Sequence, residues 1–141
     1  HDVFPHLKPG DKWSEYAFTV DRTTFRKDPT VQAIGLTGNV VGARLDGLIV
    51  DDLDDMDTVR TAEAREHTQY WVRKQALTRL GQDGWCVMIG NVWHENDTMH
   101  TLSKSGTWKR LRYPVLLPDG QGDFYSRDPV NFPIERIISW S

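Results

Sequence analysis

Two adjacent carboxylates, Asp51 and Asp52, close the short apolar run Leu48-Ile49-Val50, and this stretch is the one best placed to do chemistry. A run that is short, β-branched and followed by an acidic turn reads as a buried strand delivering acids to a sheet edge, where open α/β sheets put their ligands. Neighbouring carboxylates repel and are costly to desolvate, so a buried pair needs a cation, an Arg or Lys, or water. A divalent metal answers both acids together. Two readings stand here, a metal-site pair and a plain solvated acidic turn, because Asp54, Asp55 and Asp57 follow at once.

The elements on either side fix what these acids can meet. Thr61 is a predicted N-cap with Glu63 in the first turn, Val72, Ala76 and Leu80 recur at i+4 with Trp71 and Leu77 beside them, and Gly81 supplies a stop. The spacing predicts a helix over 61–80 whose charged face, Arg65, Glu66, Arg73 and Lys74, is solvated. Residues 85–89, Trp-Cys-Val-Met-Ile, read as a second buried strand. Strand, helix and strand in this order predict a parallel pair joined by a right-handed crossover. Both strands then end at one edge, which brings Asn91 near Asp51 and Asp52. An amide there can orient a water or contact a phosphate oxygen.

Upstream, residues 1–13 mix Pro5, Pro9 and Gly10 with aromatics and read as irregular, with His1 and His6 on the surface. Residues 17–22 and 31–35 read as half-buried strands around the charged turn Arg26-Lys27-Asp28-Pro29. Arg22, Arg26 and Lys27 could touch a phosphate backbone, against the plainer reading of a solvated turn. A glycine-punctuated segment, Thr37-Gly38-Asn39 and Val40-Val41-Gly42-Ala43-Arg44, leads into the acidic strand and could line a pocket. Downstream, Asn96 or Asp97 caps a predicted short helix over 98–104. Residues 108–117 read as a strand carrying Lys109, Arg110 and Arg112, and the Pro- and Gly-rich tail from 118 reads as loop or linker. The basic face of that strand could meet DNA, beside the plainer reading of a solvated edge.

At 141 residues and a net charge of −3, the chain suits one domain and carries no overall electrostatic footprint for nucleic acid. Mean hydropathy is −0.55, and no apolar stretch approaches the roughly 20 residues of a membrane span. No signal peptide opens the chain, and a cytoplasmic setting is expected. The chain opens on His1 rather than Met, so it is read as a piece of something longer. Six Trp imply several partly buried indoles. The single cysteine, Cys86, sits in an apolar run and reads as a small buried hydrophobe in a reducing compartment. His94-Glu95 lacks the second histidine of a helical zinc motif, since residue 98 is Thr98. No G-x-x-x-x-G-K-[ST] loop and no G-x-S-x-G elbow occurs.

Taken together, Leu48-Ile49-Val50-Asp51-Asp52, then Thr61-Ala62-Glu63 leading to Trp71 and Leu80-Gly81, then Val87-Met88-Ile89-Gly90-Asn91-Val92-Trp93-His94-Glu95-Asn96-Asp97, resemble the large subunit of tailed-bacteriophage terminases, the ATP-driven motors that package viral DNA. The resemblance implies an α/β chain, part of a P-loop NTPase of the additional-strand class downstream of the phosphate loop, with a mostly parallel sheet and flanking helices. It implies that residues 1–117 are the C-terminal portion of an ATPase core and 118–141 a linker. By position, Asp51 becomes the Walker B acid on the metal side, holding Mg²⁺, and Asp52 the acid that orients the attacking water. Asn91 becomes the residue that senses the γ-phosphate of ATP. Many relatives carry Glu at the place of Asp52, and an arginine finger where this chain has Val41-Gly42; Arg44 is the nearest substitute.

The implied function is ATP hydrolysis coupled to translocation of double-stranded DNA into a capsid, in the host cytoplasm and away from membranes. The implied partners are portal protein, the small terminase subunit and further copies in a ring. Without a phosphate loop and its lysine, the isolated chain is expected to be a poor ATPase. Two other readings remain: a metal-dependent nuclease that adds Asp54 or Asp55 to Asp51 and Asp52 for two metals, and a non-catalytic assembly module.

Overall fold

In the computed structural model, which describes residues 7–36, 38, 40 and 42–138, the acidic stretch ends a strand of a parallel pair. Three strands precede it or lead to it: β1 (Pro9–Trp13), β2 (Ala17–Val20) and β3 (Val31–Gln32) form an antiparallel sheet in the order 1-2-3. β1 corrects the expectation of an irregular start. Pro9 is tolerated because it is the first residue of an edge strand, where no ladder N–H is required of it. Trp13 and Phe18 lie against each other across this sheet, with ring centroids 5.0 Å apart.

β4 (Leu45–Asp51) then runs parallel to β5 (Leu80–Ile89), with Ile49 opposite Val87 and Asp51 opposite Ile89. The register jumps from Leu45–Leu80 to Gly47–Trp85, so four residues of β5, 81–84, bulge out and the continuous ladder starts at Trp85. Between the strands lie α1 (Met56–Val59) and α2 (Ala62–Tyr70), the latter continuing as a π-helical stretch (Trp71–Ala76) and a 3₁₀ turn (Leu77–Arg79). Thr61 caps α2, its hydroxyl accepting from the Ala64 N–H at 3.1 Å. Thr68, Trp71, Val72 and Ala76 are the buried stripe, in accord with the predicted apolar face. Gly81 is not the stop. The helical run tightens into its 3₁₀ turn, Leu80 turns extended (φ −65°, ψ 134°), and Gly81 already belongs to β5.

α3 (Thr98–Ser103) follows, capped by Asp97. The Gln69 amide donates to the Asn96 carbonyl at 3.0 Å and the Thr101 hydroxyl at 3.3 Å, binding α2 to this region. Val40, Val50 and Leu102 are buried along with the helical stripe. Among the described residues Trp71 is the buried indole; Trp13, Trp85 and Trp93 are about half exposed.

The chain divides into two compact units between Thr107 and Trp108. In the second unit β6 (Leu116–Pro118) pairs antiparallel with β7 (Phe124–Ser126), and α4 (Ile134–Ile138) follows. The tail predicted as loop thus holds a hairpin and a helix, while residues 108–115 do not pair as a strand. Alternation of Lys and Arg with apolar residues imitated a strand there without a neighbour to supply the ladder. The guanidinium of Arg127 lies 5.6 Å from the Tyr113 ring centroid.

The chain is α/β, and its parallel pairing among the described residues is confined to β4 and β5; the other two sheets are antiparallel. The expectation of a mostly parallel sheet is corrected to that extent. One face of the parallel pair is half hidden, with Leu48 opposite Cys86 and Val50 opposite Met88. The other presents Ile49, Trp85, Val87 and Ile89, which are 63%, 54%, 45% and 52% exposed. Among the described residues no helix is long and apolar enough to cross a membrane. His1, His6, Thr37, Asn39 and Val41, singled out in the sequence, lie outside the described residues.

Candidate functional site

Asp51 is the last residue of β4 and Asp52 the first beyond it. The Asp52 N–H donates to the Ile89 carbonyl at 3.1 Å, so the ladder extends one step past the strand before the chain turns. At that step Asp52 takes a left-handed backbone, φ +44°, which aspartate tolerates better than most residues. Gly90 faces it. A Cβ built on Gly90 would lie 3.3 Å from the Met99 sulfur and 3.6 Å from Asp52 Oδ1. The strand order therefore brings Asp51, Asp52, Gly90 and the exposed Asn91 to one edge, as predicted.

The five acids of this turn divide into two kinds. Asp55 caps α1: its carboxylate accepts from the Thr58 N–H at 2.8 Å and the Asp57 N–H at 3.0 Å, while the Thr58 hydroxyl accepts from the Asp55 N–H at 2.7 Å. The Thr58 backbone bond, first among these, holds the Asp55 carboxyl below its usual range. Asp54 is buried, 4% exposed, and accepts from the Thr98 hydroxyl at 2.8 Å, the Thr98 N–H at 3.0 Å and the Met99 N–H at 3.3 Å. Burial pushes its carboxyl up despite these donors, and neighbouring Asp97 adds to the push. By contrast, Asp51 and Asp52 are exposed and accept no hydrogen bond from the described residues. Asp57 is likewise exposed and accepts none, but it lies inside α1; at the strand end Asp51 and Asp52 are the two acids left for a ligand.

Asp97 is fully buried. Its Oδ1 accepts from the His100 N–H at 2.7 Å, and its Oδ2 from the N–H groups of Trp93 at 3.0 Å and His94 at 3.2 Å. Burial works against its charge, but the His100, Trp93 and His94 donors outweigh that and hold the carboxyl low. His94 accepts at Nδ1 from the Asn96 N–H at 2.9 Å, which engages it in the loop. Among the described residues no group of three or more His, Cys, Asp or Glu is arranged to hold a metal.

The remaining predicted residues are placed apart. Arg44 is exposed and precedes β4, seven residues before Asp51, so it stands roughly 20 Å away along the strand. Its N–H donates to Asp28 at 3.3 Å. Arg22 donates to the carbonyls of Arg26 and Asp28 at 2.8 and 2.7 Å, folding the basic turn upon itself, and Arg26 pairs with Asp46 of β4 at 2.9 Å. Asp54 and Asp97 are the residues whose tasks the sequence hid. The cap pattern ahead of residues 98–104 offered Asn96 or Asp97; the structure selects Asp97 and adds its hold on the loop before it.

The chain is similar to the terminase large subunit of Enterobacteria phage T3, with 26% identity over 123 residues, a stretch covering 83% of this chain and 21% of that protein. The resemblance to terminase large subunits is borne out. The chain spans about a fifth of the length of this terminase relative. No family model matches the chain, and no solved structure matches it.

Proposed function

We propose that the chain is part of a terminase-type DNA-packaging motor, in which ATP hydrolysis drives double-stranded DNA into a capsid. The observation that carries this reading is the pair of uncommitted carboxylates, Asp51 and Asp52, at the end of a parallel strand pair with Asn91 beside them. The bare face of Ile49, Trp85, Val87 and Ile89 supports a place in a larger domain that covers it, since parallel sheets are covered on both faces. The similarity to a terminase large subunit points the same way.

The donor set fits Mg²⁺, which takes one or two carboxylates and leaves its other positions to water and phosphates. When bound, the metal neutralises the phosphate charge that hydrolysis builds up. In this reading Asp51 holds the metal. Asp52, at its left-handed turn, accepts a hydrogen bond from the attacking water and fixes its direction. Asn91 donates its amide N–H to a phosphate oxygen and reports its loss to the loop that follows. Arg44, far from these acids on its own chain, would serve a neighbouring copy's nucleotide in a ring. The phosphate loop, the portal protein and the small subunit belong to the longer protein and its partners, in the host cytoplasm. A two-metal nuclease is less well supported, because Asp54 and Asp55 already hold backbone donors.

The test is ATP hydrolysis with Mg²⁺ by the longer protein that this reading requires, beside the 141-residue chain alone. Activity in the longer protein that disappears in Asp52→Ala is the expected result. A silent longer protein, or metal-dependent DNA cleavage by the short chain without ATP, would overturn the proposal.

A further inference from the structure

Asp54 and Asp97 meet at the start of α3, a helix of only six residues, and between them they accept six hydrogen bonds. Asp97 takes the N–H of His100, and Asp54 takes those of Thr98 and Met99, the first two of the helix. A second carboxylate at the same place is expensive: it is buried, and it faces a like charge. A cap from within the helix's own loop would not need Asp54.

What Asp54 does instead is reach across 44 residues of sequence. It belongs to the turn that carries Asp51 and Asp52, and its partners, Thr98 and Met99, open the helix that ends the loop carrying Asn91. Asp97 works within that loop, folding it back through Trp93 and His94. Gly90 lies between the two loops, with Met99 Sδ 3.3 Å and Asp52 Oδ1 3.6 Å from where its Cβ would stand. Bonds to a charged acceptor are short and stiff. The two carboxylates bind no ligand, since their oxygens are taken up by N–H and O–H groups.

We propose that Asp54 and Asp97 are positioning residues: Asp54 through Thr98 and Met99, and Asp97 through Trp93 and His94, fix the distance between the acid pair Asp51–Asp52 and Asn91, so that the two loops move as one. This rests on the reading of those three residues as the nucleotide-facing groups. It adds a definite route by which a change at Asn91 reaches the acids, and the reverse.

The experiment reads each loop from a substitution in the other, using amide resonances of the 141-residue chain. Asp54→Ala is expected to shift the Asn91 amide, and Thr98→Val, which removes one donor and is the milder change, to shift the Asp52 amide. Asp54→Asn, which can still accept, restores most of the Asn91 position. Asp55→Ala, which frees a cap in the same turn, leaves Asn91 where it was, and the β1–β2 amides stay fixed throughout. An Asn91 amide unmoved in Asp54→Ala, or an Asp52 amide unmoved in Thr98→Val, overturns the proposal; if Asp54→Ala fails to fold, the Thr98→Val result decides. ATP turnover by the unsubstituted longer protein tests the underlying reading separately, so a silent enzyme removes that reading while the resonances still decide the coupling.

Discussion

Asp54 takes both donors of a single residue, the N–H of Thr98 at 3.0 Å and its hydroxyl at 2.8 Å, and both side chains are buried. Removal of the carboxylate leaves the two buried Thr98 donors without an acceptor, and the half-buried Met99 N–H as well. Each unsatisfied buried group costs about 1–3 kcal/mol. Asp54→Ala is therefore expected to lower the unfolding free energy by about 3 kcal/mol, and Asp54→Asn by about 1 kcal/mol, since the amide oxygen still accepts and no charge is buried. Urea titration measures both, and equal losses would show that the carboxylate's charge, rather than its acceptor geometry, sets the stability.

The same two carboxylates give opposite pH dependences. Asp97 is held below the usual carboxylate value of 3.8 by its N–H donors, so the stability it contributes is present above that value and is lost as pH falls through its folded pKa. Asp54 is pushed above 3.8 by burial, so its contribution is present below that value and is lost as pH rises through its folded pKa. In the acid range the two partly cancel. Stability measured from neutral pH downwards should fall more steeply in Asp54→Asn than in the parent chain, and less steeply in Asp97→Asn. Parallel curves would contradict the assignment.

Asp52 occupies a left-handed backbone that a Cβ makes costly by about 1–2 kcal/mol. Aspartate lessens this cost, alanine does not, and glycine avoids it. Asp52→Gly should be more stable than Asp52→Ala by about 1 kcal/mol, while both lose the carboxylate and with it any metal-dependent activity. Comparison of urea midpoints separates the backbone effect from the chemical one.

How much of this was legible in the sequence depends on the range of the interaction. β4 and the ladder of β5 announced themselves as short apolar runs, and Thr61, and Asn96 or Asp97, as caps, because each signal lies within a few residues. The division of labour within Asp51-Asp52-Leu53-Asp54-Asp55 was hidden, for one carboxylate looks like another until its partner, 44 residues away for Asp54, is in place. The π-helical stretch over Trp71–Ala76 was also hidden, since slight widening of a helix hardly alters its apolar periodicity. Residues 108–115 had the alternation of a strand and no neighbour to pair with, a fact that no local pattern contains.

Gly47 sits beneath the indole of Trp85 in the parallel pair, directly opposite it in register. A Cβ at Gly47 would come 2.4 Å from two carbons of that ring, closer than any side chain can lie. The indole is about half exposed, so it can swing away, but only by leaving the strip it forms with Val87 and Ile89. Gly47→Ala is thus expected to cost about 1–3 kcal/mol, the usual penalty of overpacking, and to shift the tryptophan emission. The penalty belongs to the pair rather than to the glycine. In the background of Trp85→Ala the same substitution should be nearly neutral, giving a coupling of about 1 kcal/mol or more in a double-mutant cycle. Additive effects would mean that the ring does not cover Gly47 in solution.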